Sequence, residues 1–229
     1  MTGQQLRKAR RTFALTQAEA AKRLGVSQSY LSLFEKDKRP LTDKLAKKAV
    51  RLFNLSPAAL PLETKLNDLR SATNENLVKD LAALDYPGFS HVKPARPKNP
   101  VQVLLAALSA DNLEGRLVEA LPWLLLKFSD MEWNTLVDAV KLKDLQNRLG
   151  FLTAVARKLA EKSGDAKKAA EFKRRENALE RSRLVREDTL CNSRMTDAEK
   201  RWLLQNRSSE AAHWSILSNL SAEHLNYVA

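Results

Sequence analysis

Apolar residues recur along this chain at steps of three and four, the spacing that gathers them on one side of a helix. The clearest run is Leu145, Leu149, Leu152, Ala156 and Leu159. It predicts an amphipathic helix that stops at Ser163-Gly164-Asp165, where glycine can take the left-handed conformation. A second, highly charged helix is expected over about 166–187, with only a thin apolar stripe of Phe172, Leu179, Leu184 and Val185. Ahead of both lies a dense apolar block from Leu117 to Phe128. Pro122 is expected to open a new helix there, because a first turn tolerates proline. Thr196 and Glu199 have the spacing of a capping box and should start a short helix carrying Trp202 and Leu203. Alternating Val, Ile, Tyr and Thr segments bounded by turns are missing, so no strand is expected. The pattern predicts an all-α protein.

Four prolines (Pro87, Pro94, Pro97, Pro100) fall within residues 86–100. Proline removes an amide donor and pushes the residue before it out of the helical region, so this stretch reads as a linker. The chain reads helical from about residue 3 to 85 before it, and almost to the end after it. Three parts are therefore expected: 1–60, a connecting helix and linker over 61–100, and an all-α body over 101–229.

The N-terminal part carries the most specific pattern. Thr16 and Glu19 make a capping box that starts one helix. Ala21 is small where a neighbouring helix crosses closely, Gly25 ends the helix in a turn, Val26 can dip into a core and Ser27 caps the next helix. This is helix, three-residue turn, helix. At 100° per residue from Gln28, Ser32 lies at about 40°, Lys36 at about 80°, Ser29 at about 100° and Leu33 at about 140°. Leu31 and Phe34 fall on the opposite side, at about 300° and 240°. One edge of this helix thus offers an amide, hydroxyls, a cation and one leucine. A side-chain amide can pair with the N6 and N7 edge of adenine, small hydroxyls permit close approach, and Leu33 can meet a thymine methyl.

Charge sharpens that reading. The chain has 39 Lys/Arg against 27 Asp/Glu, a net +12. Residues 1–60 hold 13 Lys/Arg and 4 Asp/Glu, so +9 of the excess sits in about a quarter of the 229 residues. Such an excess attracts a polyanion, and DNA, RNA and anionic lipid all qualify. With 44% hydrophobic and 29% charged residues the chain has the composition of a folded soluble protein. No apolar run approaches a membrane span, and the polar start lacks the apolar core of a signal peptide. One cysteine, Cys191, excludes an internal disulfide. A cytoplasmic location is expected.

Residues 3–60 resemble the phage-repressor helix-turn-helix family, the Cro or xenobiotic-response-element type. The resemblance is carried by Leu15-Thr16-Gln17-Ala18-Glu19, by Leu24-Gly25-Val26-Ser27-Gln28-Ser29-Tyr30-Leu31-Ser32 and by Phe34-Glu35. It implies a compact five-helix domain. It also implies that Gln28, Ser29 and Ser32 face bases, while Gln17, Lys36, Lys38 and Arg39 meet the DNA backbone; on the helix itself, Leu33 is expected to join the base readers and Tyr30 the backbone contacts. Arg10 and Glu35 match a structural pair of the family. Asp37 departs from it, standing where the family commonly has glycine. Asp accepts left-handed geometry better than most residues, so the loop shape rather than the fold is at issue.

No P-loop, Gly-x-Gly-x-x-Gly, His-Glu-x-x-His or Gly-x-Ser-x-Gly motif is present, so no enzyme, cofactor or metal is expected. His213 and His224 read as ordinary terminal-helix residues and Cys191 as a spectator thiol. Gly150 reads as a point of close crossing, with a binding notch as the alternative. The run Lys167–Arg186 reads as a solvated face, because Glu171, Glu176 and Glu180 interleave with it. The expected function is sequence-specific double-stranded DNA binding by a transcriptional regulator, as a homodimeric repressor whose body dimerises or senses. The alternative is a DNA-binding antitoxin that represses its own operon and neutralises a partner toxin through the body. Ala120-Leu121-Pro122-Trp123, Asp144–Phe151 and Glu210–Trp214 resemble the bodies of such regulators, more distantly than the head resembles its family.

Overall fold

The computed structural model describes residues 1–62 and 72–225. The chain forms two compact units, Met1–Glu63 and Thr64–Ala229. Among the described residues, regular structure is almost wholly α-helical, with twelve α-helices.

The first unit contains α1 (Gly3–Thr12), α2 (Gln17–Leu24), α3 (Gln28–Glu35) and α4 (Asp43–Leu52). A short 3-10 turn, Pro57–Ala59, follows as the fifth helical element. Each α-helix starts on a hydroxyl residue: Thr2, Thr16, Ser27 and Thr42 accept from the backbone N–H three positions on. A cap of this kind stabilises a helix by about 1 kcal/mol, which matters for helices of two or three turns. The apolar sides of the helices meet in one core of Leu6, Ala20, Leu24, Leu31, Phe34, Ala49 and Phe53. Gly25 ends α2 in the left-handed conformation (φ 76°), and Val26 packs against the core from the turn.

The second unit runs α5 (Asn74–Ala82), a 3-10 turn at Pro87–Phe89, α6 (Pro100–Leu108), α7 (Gly115–Lys127), α8 (Trp133–Lys141), α9 (Gln146–Lys162) and α10 (Ala166–Glu180). It continues with α11 (Asp197–Asn206) and α12 (Ser209–His213). The hub is α9, packed by α7, α8, α10 and α12. Leu149, Leu152, Ala156 and Leu159 are buried as the periodicity implied, but so are Phe151, Ala154, Val155 and Ala160. A helix with neighbours on several sides needs apolar residues nearly all round, not one stripe.

Gly150 lies under the ring of Trp214, which follows α12. A Cβ at position 150 would sit 2.3 Å from Trp214 Cε3. The close approach is therefore made by an indole rather than by a crossing helix backbone.

Four expectations need correction. Pro122 does not open a helix; it lies inside α7, which begins at Gly115. Proline there leaves the Val118 carbonyl without its intrahelical donor, a cost offset by burying Leu117, Ala120, Leu121, Trp123, Leu124 and Leu125 on the same helix. The helix expected over 166–187 stops at Glu180. The Asn147 side chain captures the Leu184 backbone twice, donating from Nδ2 to the Leu184 carbonyl and accepting the Leu184 N–H, each at 2.8 Å. Those groups are then not available to a helical ladder, and Val185 is left exposed. Two residue pairs also form a parallel two-stranded ladder, β1 (Asp188–Thr189) with β2 (Ile216–Leu217), too short to leave an alternating signature. Finally, the proline cluster is packed rather than a free tether. Phe89, Asn99 and Pro100 are buried, the Ala95 N–H donates to the Lys79 carbonyl at 3.1 Å and Lys98 pairs with Asp80 at 2.7 Å. A proline-rich stretch can lack regular helix and still be buried. The portion of the connecting segment over 63–71 lies outside the described residues.

Candidate nucleic-acid interface

The candidate interface is built on α3 and the loop after it. Leu31 and Phe34 enter the core and Glu35 is buried beside them. With that side fixed, Gln28, Ser29 and Leu33 are exposed and Ser32 is half-buried. Leu33 is 41% exposed, so an apolar side chain is available on this otherwise polar edge.

Behind α3 lies a network of charges. Arg10 on α1 donates from Nε to Glu35 Oε1 at 2.6 Å and from Nη2 to Oε2 at 2.9 Å. Its Nη1 donates to the Leu15 carbonyl at 2.8 Å, so one guanidinium ties α1, the α1–α2 turn and the end of α3. Burial pushes the Glu35 carboxyl up, but hydrogen bonds from Arg10 and Gln17 and the charges of Arg10 and Arg7 outweigh it, leaving it below the usual carboxylate range. The hydrogen bond from Arg10 to Glu35 holds the guanidinium proton more tightly, against the opposing effect of burial.

Gln17 is the first residue of α2. Its Nε2 donates to Glu35 Oε2 at 2.9 Å. The amide of a residue assigned to a phosphate is thus anchored to the buried pair, beside the N-terminal amides of α2. Helix N-termini carry partial positive charge and orphan N–H groups, which favour an anion.

The loop after α3 is shaped by three contacts. Asp37 takes the left-handed conformation (φ 54°), and its Oδ1 accepts the Gly3 N–H at 2.8 Å. The side chain that replaces glycine in this turn is therefore used, holding the start of α1 against the end of α3. The Tyr30 hydroxyl donates to the Pro40 carbonyl at 3.2 Å, and the Arg39 guanidinium lies 5.0 Å above the Tyr30 ring. Lys36, Lys38 and Arg39 are all exposed on this loop. The tyrosine thus supports the loop that presents the cations, a stacking role that its position on α3 alone did not reveal. Lys48 on α4, singled out by no motif, donates to the Leu24 carbonyl at the end of α2 at 2.9 Å. A cation is the expected complement to a helix C-terminus, so that residue reads as structural.

Other chemistry-bearing residues lie in the second unit. Cys191 is buried, and burial pushes its thiol up to about 11 despite the nearby Arg148. Arg148 is committed to Asp188 at 2.7 and 2.9 Å and to the Leu108 carbonyl at 2.8 Å. His213 Nε2 lies 2.7 Å from Glu180 Oε2, and His224 Nδ1 lies 3.2 Å from the Ser221 hydroxyl. No group of three or more His, Cys, Asp or Glu residues that could hold a metal occurs among the described residues. No described helix is long and apolar enough to cross a membrane.

Two helices joined by a tight turn, the second with a buried apolar side and an exposed polar edge, define a DNA-binding helix-turn-helix domain. Comparison with known families agrees, since residues 6–60 match the helix-turn-helix family model of phage-repressor type. The protein carries the head of a DNA-binding transcriptional regulator on a helical second unit. The chain matches no curated protein and no solved structure.

Proposed function

We propose that this protein is a sequence-specific double-stranded DNA-binding regulator that acts as a dimeric repressor by occupying an operator. The observation that carries this is the two-sidedness of α3: Leu31, Phe34 and Glu35 are fixed inside while Gln28, Ser29 and Leu33 are outside. A rigid helix with a short polar edge fits the major groove, about 12 Å wide. Gln28, Ser29, Ser32 and Leu33 read base edges; Gln17, Lys36, Lys38 and Arg39 set the register on phosphates, with Tyr30 holding the loop that carries the cations. One head makes few base contacts, so useful affinity needs two heads on half-sites about one helical turn apart. The second unit supplies the pairing. The same head would serve an antitoxin, whose second unit would instead hold a toxin.

The test is selection of duplexes by the full chain from a random pool, followed by the ratio of affinities for selected and scrambled sequences at fixed salt. The expected outcome is an inverted repeat with half-sites near one turn apart and a ratio of about 10³ or more. Equal affinity for all duplexes overturns the reading. Copurification of a stoichiometric protein expressed from an adjacent gene, with toxicity when this chain is lost, selects the antitoxin form.

A further inference from the structure

The second unit carries an apolar hollow and, on its rim, an apolar projection. The hollow is a cleft of about 430 Å³ between the first turns of α7, the chain after β1, α11 and the chain after β2. Leu190, Leu203, Leu217 and Leu220 are buried residues that line it. Trp202 on α11 borders the cleft, yet 56% of this residue is exposed. Burying an indole yields a large apolar gain, so one left in water beside an apolar hollow is suited to association.

The helix that carries the projection is sparsely packed. Leu203 is the buried residue of α11, while Ala198, Trp202 and Leu204 are exposed. Ala198 and Trp202, four positions apart, share one side of the helix. The same helix balances its charge, with Asp197 and Glu199 against Lys200 and Arg201. No Lys or Arg lines the cleft. A chain of net +12 repels its own copy, so a face without excess positive charge is where two copies meet at least cost. A two-fold pair buries the same patch twice, and whatever one copy presents the other must receive. A projecting ring beside an apolar hollow meets that condition.

We propose that the second unit pairs with a second copy of this chain through this face, Trp202 of each copy entering the cleft of the other against its leucines. The inference rests on the reading of the protein as a dimer and names the surface that makes it one. Each cleft is complete only when the second copy supplies its ring.

The test is sedimentation equilibrium of the full chain without DNA, from micromolar to millimolar concentration, where a monomer–dimer equilibrium is expected. Trp202→Ala removes the projection at an exposed position, and Gly115→Leu fills the hollow. Gly115 lines the cleft and a Cβ there meets nothing within 4 Å, so the new side chain starts without a clash. Each variant should weaken pairing by about tenfold or more. Trp202→Ala keeps an open cleft and Gly115→Leu keeps the ring, so a mixture of the two restores one of the two contacts. The mixture should therefore associate more tightly than either variant alone. Quenching of tryptophan fluorescence by acrylamide should fall as the parent protein is concentrated, and that change should be absent from Trp202→Phe. Preference for a selected single half-site over a scrambled one should be unchanged in both variants, which keeps failure of the pairing face distinct from failure of DNA reading. Undiminished pairing in either variant, or a mixture no tighter than its components, would overturn the proposal and leave the dimer standing. A chain that stays monomeric throughout would overturn both.

Discussion

The side-chain amide of Gln17 donates to Glu35 Oε2 across 2.9 Å, on the same oxygen that accepts Nη2 of Arg10. A residue assigned to the DNA backbone and a residue closing the reading helix are thus held by one buried carboxylate. Glu35→Gln should leave the Arg10 charge buried without its partner, at a cost of about 3 kcal/mol. Loss of amide-exchange protection in α1 and α3 of the full chain, with the second unit unchanged, checks it. The pH dependence has a definite sign. Glu35 titrates below its ordinary value of 4.5 when folded, so its stabilisation is complete above that value and is lost as pH falls through the depressed one. Opening of the first unit should therefore steepen below about pH 4.5, and that component should be absent from Glu35→Gln.

Gly150→Ala should lower the stability of the second unit by about 1–3 kcal/mol, because the new methyl overlaps the Trp214 ring. Trp214→Ala removes the obstruction while opening a cavity. The double variant should therefore be less destabilised than the sum of the single changes, a coupling readable from denaturant midpoints of all four proteins. Strict additivity would show that the ring moves aside without cost.

These two relationships illustrate what a sequence can disclose. The capping boxes at Thr16–Glu19 and Thr196–Glu199 were legible because both partners lie within one turn. Gly150 was legible as a point of close approach, but Trp214 lies 64 positions away, and no local pattern named it. The end of α10 was illegible for the same reason: Asn147, 37 positions earlier, competes for the Leu184 backbone. Pro122 misled because propensity alone favours a first turn, and burial on both sides of it decided otherwise. In the candidate interface the polar edge of α3 followed from angles along one helix. The support of the loop by Tyr30, Pro40 and Arg39 and the use of Asp37 by Gly3 needed the tertiary fold.

Lys38→Ala should weaken binding to selected and scrambled duplexes alike. An exposed cation on the loop after α3 neutralises phosphate without reading sequence. The slope of log affinity against log salt should become shallower by about one unit per lost contact. A loss confined to one duplex sequence would place Lys38 on a base instead.

The central claim is that the outward edge of α3 reads bases, and Gln28 tests it most directly. Affinity of the parent and of Gln28→Ala should be measured against the selected operator and every single-base-pair substitution of its half-site, at one salt concentration. The account predicts a loss of about 1–3 kcal/mol that is confined to one adenine-containing position, where the variant no longer distinguishes the four base pairs. Unchanged affinity, or a uniform loss at every position with discrimination intact, would contradict it.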